Sequence, residues 1–498
     1  MNRLTITDLK EIINGGRSYT YNESDIKNAL KSFDFLKSFS KNNLVYGINT
    51  GFGPMVDFKV QEKDQKKLQY NLIRSHSSGM GEVLSKNIVK TLMIIRLHTF
   101  LQGKSAVSES LINTLSNYLK NEIYPNIFEH GGVGASGDLV QLAHLALGII
   151  GEGEGVNAKG EKGIISELIE KVNIKPHTLE LRDGLALING TACMTAISTI
   201  NVINSKILVN WSVNISAMML EIFGSYDDYV SKELNQVKLH EGQNKIASEI
   251  REILESSALI TKRYTDKDKN FQEFYSIRCT PQVLGPILDT INYTEKVIEN
   301  EINSVDDNPI IDVENQKIVH GGNFHGDYVS LEMDKLKVAI TKLTMLTERQ
   351  LNLLLNSKIN KILPQFLNIG KLGLNYGMQG VQFTATSTTA ENQMLSNPMS
   401  VHSITCNNDN QDIVSMGTNS ALITKKVIDN AFQVLSIQLM ACVKAIEILK
   451  VETKVSNETN KIITSVQKLI GKHSANDEIF YKRLIIIEDY LRKANNEK

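Results

Sequence analysis

Long tracts of this chain contain no proline, and that constrains the fold more than any other feature. Only 8 of the 498 residues are proline, at positions 54, 125, 176, 281, 286, 309, 364 and 398. None falls between Pro176 and Pro281, and none follows Pro398. Proline costs about 3 kcal/mol inside a helix, so such tracts leave room for long helices. The apolar pattern fills that room. From Tyr328 to about Lys358, the residues Leu336, Ile340, Leu343, Leu346, Leu351 and Leu354 keep a helical spacing, while Asp334, Lys335, Lys342, Glu348 and Arg349 take the other face. A second stripe, between Ser420 and Lys450, carries Val427, Ala431, Val434, Leu435, Gln438, Leu439, Cys442 and Ile446, and a third tract covers about Thr195 to Phe223. Thirty residues at ~1.5 Å rise make a helix of roughly 45 Å. Helices of that length bury their stripes against one another in a bundle. An amphipathic helix is also expected over Ile88–Leu119. Strand signals are few: Pro309–Val313, a turn at Glu314–Gln316 and Lys317–Val319 read as a hairpin, and Val156–Gly160 as the turn of another. The expected fold is mainly α, a long-helix bundle core with minor short β pieces in an N-terminal domain.

Composition removes several classes of function. With 54 Lys+Arg against 55 Asp+Glu, no basic excess exists to neutralise phosphates, so a nucleic-acid partner is not expected. Cys193, Cys279, Cys406 and Cys442 show neither metal-ligand nor redox spacing, and the expected compartment is a reducing cytoplasm. The start, MNRLTITDLKEIINGG, lacks the pattern of a signal peptide. Charge or glycine interrupts every apolar run before 18 residues, so no membrane span is expected.

The chemically loaded segment is 131–155, GGVGASGDLVQLAHLALGIIGEGEG. Gly132 to Gly137 fits G-x-G-x-x-G, with Glu152 or Glu154 near the offset of a ribose-binding acid. That motif needs a strand before it and a parallel sheet around it. Here a proline-containing stretch, Ile123–His130, and then helix precede it, and no alternation of strand and helix follows, so a nucleotide site is disfavoured. Ala135-Ser136-Gly137 offers different chemistry. The amide nitrogen of Gly137 can attack the carbonyl carbon of Ala135, and Ser136 can lose its hydroxyl as water, which leaves an electrophilic methylidene-imidazolone. Glycine lets its nitrogen approach without a Cβ clash, alanine keeps the flank small, and serine supplies the leaving group. Asp138 can help move protons or cap the helix that opens at Leu139.

Eight ordered blocks carry a resemblance: VYGINTGFGP (45–54), LIRSHSSGMG (72–81), GGVGASGDL (131–139), LINGT (187–191), YSIRCTPQVLG (275–285), DDNPII (306–311), GGNFHGD (321–327) and NQDIVSMGT (410–418). In these the chain resembles the aromatic amino-acid lyases, the histidine, phenylalanine and tyrosine ammonia-lyases and related aminomutases, and in detail the bacterial tyrosine ammonia-lyases. The resemblance implies elimination of ammonia from an aromatic L-amino acid. It implies a 4-methylidene-imidazole-5-one prosthetic group (MIO) made from Ala135, Ser136 and Gly137, with no metal, pyridoxal phosphate or nucleotide. It also implies a homotetramer whose active sites are shared between subunits. Segments 1–195, bearing the prosthetic loop, 196–420, the central bundle, and 421–498, C-terminal helices on that bundle, are the domains expected.

By the same resemblance, Tyr46 is the base that takes the β-proton. A phenol, with an ordinary pKa near 10, needs a positive or hydrogen-bonding neighbourhood for that role. Gly53 matches a backbone position beside it. Arg278 matches the arginine that grips the substrate carboxylate, for which a planar fork is suited. Tyr275 and Asn189 match residues that hydrogen-bond the prosthetic group and substrate, Phe324 a pocket wall, and Asn410 and Gln411 polar pocket residues. Two positions bear on the substrate ring. Ser75-His76 has an order common in histidine lyases, whereas some tyrosine lyases place the pocket histidine one residue earlier. Gln411 is neutral where histidine lyases carry glutamate, which fits a less basic ring. Weighted toward Gln411, the expected reaction is L-tyrosine to trans-p-coumarate, with L-histidine to urocanate as the alternative and tyrosine 2,3-aminomutation third. Val140-Gln141 departs from the Ala-Pro found in many relatives.

Overall fold

The structure, a computed structural model, describes residues 2–263 and 272–493. Among them are 19 α-helices and only short strands. The three stripes become the helices Ala192–Ile222, Asp327–Leu355 and Gly417–Leu449. Every stripe residue read from the sequence is buried, from Leu336 to Leu354 in one helix and from Val427 to Ile446 in another. Two charges assigned to the open face are not on it. Asp334 is buried and accepts hydrogen bonds from the Ser400 N–H and the Ser420 hydroxyl, both at 2.8 Å. Glu348 is buried beside Arg349 and Thr386. Periodicity reports the angle of a side chain around its helix, and polar partners on neighbouring segments decide whether a carboxylate at the border goes in.

A fourth long helix, Thr280–Ile302, carries Pro286 inside it. The lost backbone bond costs about 3 kcal/mol. Leu284, Ile287, Ile291, Ile298 and Ile302 are buried along it, at roughly 1.5–3 kcal/mol each, so burial prevails. The expected helix over 88–119 is two helices, Lys86–Leu101 and Glu109–Lys120. The break starts at Gly103, whose φ is +73° and whose Cβ position lies 2.8 Å from the Asn28 carbonyl oxygen. Only glycine fits there, and the chain turns.

The chain forms two units, each discontinuous in sequence. The first comprises Met1–Asn201, Thr294–Asp334 and Pro398–Leu422, and the second Val202–Tyr293, Lys335–Asn397 and Ile423–Lys498. The segment boundaries read from the sequence, 195/196 and 420/421, fall inside Ala192–Ile222 and Gly417–Leu449. A helix that continues from one unit into the next leaves no linker in the sequence. By length and composition both of these helices could cross a membrane, but charges such as Lys206 and Lys444 interrupt their apolar runs, and 78% of the most apolar window of each is buried within the protein.

In the second unit, some polar groups find partners inside the helical core. The Trp211 indole N–H donates to the Leu491 carbonyl at 2.9 Å, and Gln438 donates to Gln350 at 2.7 Å. The first unit holds all the named sheets. Ile310–Asp312 and Lys317–Val319 pair antiparallel with Ile310 opposite Val319, as the sequence indicates. Glu154–Val156 pairs with Lys162–Ile164 across the turn at 157–160. Met80–Val83 pairs with Phe128–His130. That last strand does precede the G-x-G-x-x-G segment, but its partner is antiparallel, and among the described residues no parallel sheet surrounds it.

Candidate active site

A cavity of about 440 Å³ opens in the first unit. Its wall collects segments far apart in sequence: the 46–55 loop, one face of the helix Glu62–His76, the loop at Ser136, the 185–189 turn, Asn308, Phe324 and the 407–411 loop.

Tyr46 is presented by a loop plugged at both ends. Val45 and Ile48 are buried in a cluster with Leu36, Ala106 and Ile311, which leaves the intervening tyrosine at the cavity. The Gly47 carbonyl is held by Gln69 Nε2 at 2.8 Å, and the same Gln69 accepts the Leu185 N–H at 2.9 Å. The Gly53 N–H donates to the Tyr46 hydroxyl oxygen at 3.0 Å. This supplies the hydrogen-bonding neighbourhood the sequence reading asked for. On the helix Glu62–His76, Leu68, Leu72 and Ser75 face the cavity with Asn71 beside them, at helical spacing. Terminal His76 also lines it, with Nδ1 within 2.9 Å of the Leu72 carbonyl and 3.0 Å of Ser75 Oγ. A carbonyl can only accept, so the proton sits on Nδ1 in the neutral ring.

The loop around Ser136 is shaped by glycines. Gly134 and Gly137 have φ of +77° and +67°. A Cβ on Gly137 would lie 1.9 Å from the Gly190 carbonyl oxygen, and that oxygen accepts the Asp138 N–H at 2.8 Å. Ala135 is buried against Val414 and Met416. Ser136 Oγ accepts a hydrogen bond from Gln411 Nε2 at 3.0 Å. The segment therefore has what self-cyclisation requires: a nitrogen without a Cβ beside it, a small flank, and a serine hydroxyl held by a donor.

Asp138 does not cap its own helix, as one sequence reading had it. Its carboxylate accepts the N–H groups of Cys193 and Met194, both at 2.9 Å, at the start of Ala192–Ile222, and a bond from the Thr418 hydroxyl. It caps a different helix, where the exposed N–H groups and the helix dipole favour a carboxylate. Burial nevertheless pushes its pKa up to about 7. Val140-Gln141 now has a structural account. Val140 packs where a Cβ on Gly131 would sit, and Gln141 donates to the Glu129 carbonyl at 2.9 Å, tying the helix start to the strand before it.

A buried ion network below the site was not singled out from the sequence. Arg96 and Arg182 have no exposed side-chain surface. Arg96 pairs with Asp306 and Arg182 with Asp307, each at 2.8 Å. Arg96 also donates to the Asn189 carbonyl at 2.7 Å, and Asp306 accepts from Thr191. The DDNPII and LINGT blocks thus form one clamp that holds Asn189 at the cavity wall. The buried Asn189 Oδ1 has no partner among the described residues and is available to a ligand. Asn71, Asn308 and Asn407 line the cavity too. The only signal for them was membership of, or proximity to, a family block.

Of the residues expected at the site, Tyr46, Gly53, Ser75, His76, Ser136, Asn189, Phe324, Asn410 and Gln411 meet at this cavity. Tyr275 and Arg278 do not line it. They belong to the second unit, on the short helix Tyr275–Arg278, with the guanidinium 4.4 Å from the Tyr275 ring centroid. Tyr275 is 71% exposed. Among the described residues, no arginine or lysine lines the cavity.

The profile of aromatic amino acid lyases matches residues 4–468. A histidine ammonia-lyase of Caldanaerobacter subterraneus subsp. tengcongensis is 37% identical over 450 residues, covering 90% of this chain and 87% of the relative. A tyrosine 2,3-aminomutase of Chondromyces crocatus is 36% identical over 421 residues, covering 81% and 79%. Among solved structures, a tyrosine aminomutase from Streptomyces globisporus superposes with a TM-score of 0.94 at 30% identity, covering 99% of this chain and 96% of that one. With this match running through the Tyr46 loop, the ASG segment and the buried clamp alike, the chain belongs to the aromatic amino acid lyase family and is a carbon–nitrogen lyase.

Proposed function

We propose that this enzyme eliminates ammonia from L-tyrosine to give trans-p-coumarate, with an electrophile made from its own Ala135-Ser136-Gly137 backbone. The observation that carries the reading is the meeting of Tyr46 and Ser136 at one cavity, each oxygen held by an N–H donor. To make the group, Gly137 nitrogen bonds to the Ala135 carbonyl carbon and that oxygen leaves as water. Ser136 then gives up its Cα proton and its hydroxyl as a second water, so no oxidant is needed. Held by Ala135, Ser136 and Gly137, the group would supply an electrophile for the substrate amine and so a better leaving group. Tyr46 takes the β-proton, its oxygen kept in place by the Gly53 N–H. Asn189 Oδ1, buried and without a partner among the described residues, accepts from the bound substrate. Phe324 and Leu72 supply apolar wall to the aromatic side chain.

A substrate carboxylate needs a cation, and the cavity wall has none among the described residues. We assign that role to Arg278 with Tyr275 from a neighbouring subunit of a cytoplasmic homotetramer. The exposed tyrosine ring under the guanidinium suits a group that reaches across an interface.

For the ring of the substrate, neutral Gln411 favours the phenol of tyrosine. A second reading, histidine to urocanate, is supported by the names of relatives at 37% and 34% identity and by His76 at the cavity. Incubation with tyrosine, phenylalanine and histidine, followed by ultraviolet detection of the conjugated acid, decides between them. Coumarate should form fastest. Faster urocanate would reverse the assignment, and β-tyrosine in the product would make the enzyme an aminomutase.

A further inference from the structure

The loop that delivers Gln411 has an unusual backbone. Asn407, Asn408 and Asp409 are three consecutive residues with φ of 55°, 55° and 58°. Single left-handed residues are routine for Asn and Asp, but a run of three is not, because each costs backbone energy. Something must hold the ends of this turn together, and the structure shows what does. Cys406 and Gln411 face each other as an antiparallel bridge, with N–H to carbonyl distances of 3.2 and 3.3 Å in the two directions. Their side chains continue the contact, since Cys406 Sγ lies 3.3 Å from Gln411 Oε1. Gln411 Nε2 is thereby the end turned to Ser136 Oγ, at 3.0 Å.

We propose that Cys406 is a positioning residue for maturation of the prosthetic group. Its thiol donates to the Gln411 carbonyl oxygen and so aims the amide NH₂ at the serine hydroxyl that must leave. A thiol is a weak donor and a weaker acceptor. With the amide reversed, the NH₂ would be spent on sulfur, and the Ser136 hydroxyl would donate to the amide oxygen, which opposes its departure. In the observed orientation the Gln411 N–H supports the oxygen as the Cα–H and C–Oγ bonds of Ser136 break and water is released. This rests on the self-cyclisation reading above and adds to it the element that sets its rate.

The test follows ring formation, not turnover. Full-length chain is synthesised in a short pulse, and the fraction lacking two waters is read by intact mass over time. Cys406→Val keeps the approximate shape and removes the donor, and should slow mass loss roughly two- to tenfold, the effect of one modest hydrogen bond on a rate. Cys406→Ser restores an O–H donor and should mature near the wild-type rate. In a Gln411→Met chain, adding Cys406→Val should slow maturation no further, because the thiol acts through the amide. Wild-type maturation by Cys406→Val, or independent effects in the double variant, overturns the proposal. Absence of the two-water loss in wild-type chain overturns the cyclisation reading itself, so the two failures are distinct.

Discussion

Replacing Gly137 with alanine should be far more damaging than the same change at another left-handed glycine, and the structure separates the contributions. Gly160 has φ +82° and nothing within 4 Å of its Cβ position. Gly160→Ala therefore incurs only the left-handed backbone cost, about 1–2 kcal/mol, partly offset by about 0.4–1 kcal/mol from a stiffer unfolded chain. Gly134 has φ +77°, with Ser415 Oγ 2.0 Å from its Cβ position. That hydroxyl can rotate away and lose its 3.1 Å bond to the Gly134 carbonyl, which adds about 1 kcal/mol. Gly137 has φ +67°, and its obstacle, 1.9 Å away, is the backbone carbonyl of Gly190. This carbonyl must retreat by about 1.5 Å to reach ordinary contact. It is pinned, because Gly190 itself sits against Arg96 and Asp306, with a Cβ position 2.5 and 2.6 Å from their side-chain atoms. The retreat breaks the Asp138 N–H bond to Gly190 and disturbs the clamp, at about 1–3 kcal/mol for each buried group left without a partner. The whole change comes to about 3–5 kcal/mol. The three variants are best compared by urea unfolding in a Ser136→Ala background, so that ring formation does not enter. The expected order of loss is Gly160, Gly134, Gly137. If Gly137→Ala lies within 1 kcal/mol of Gly160→Ala, the pinned carbonyl is not the constraint described.

Arg96→Met leaves the buried Asp306 carboxylate without its partner, and should destabilise by about 3–5 kcal/mol in the same assay. A loss below 1 kcal/mol would mean the network is not what holds Asn189. Burial raises Asp138 from an ordinary 3.8 to about 7, so the folded chain keeps this proton where the unfolded chain has released it. Its contribution is therefore full at low pH and falls as pH rises from about 4 to about 7. Asp138→Asn should flatten that interval of the stability–pH curve, and parallel curves for the two chains would contradict the assignment. Mixed tetramers of Ser136→Ala and Arg278→Ala subunits should recover activity that neither variant has alone. Verified mixed assemblies without recovery would argue against sites shared between subunits.

The fold and the site differ in how much of them can be read along the chain. Helix stripes are local, since each residue's angle follows from its position, and Leu336 to Leu354 and Val427 to Ile446 are buried as read. Proline was the weaker guide, because burial along Thr280–Ile302 outweighs Pro286. The ASG tripeptide was legible because its chemistry needs three adjacent residue types, and Tyr46, Asn189 and Gln411 because family blocks mark them. Tertiary structure alone decided that Asp138 caps Ala192–Ile222 instead of its own helix, that Arg96 and Asp306 form the clamp, and that three left-handed residues turn Gln411 toward Ser136. Asp138 with Cys193, Arg96 with Asp306 and Gln411 with Ser136 are contacts between residues more than 50 positions apart, and the turn at 407–409 is closed by the Cys406–Gln411 bridge. A one-dimensional pattern carries the period of a helix, but not the partner that a buried charge or an amide will find.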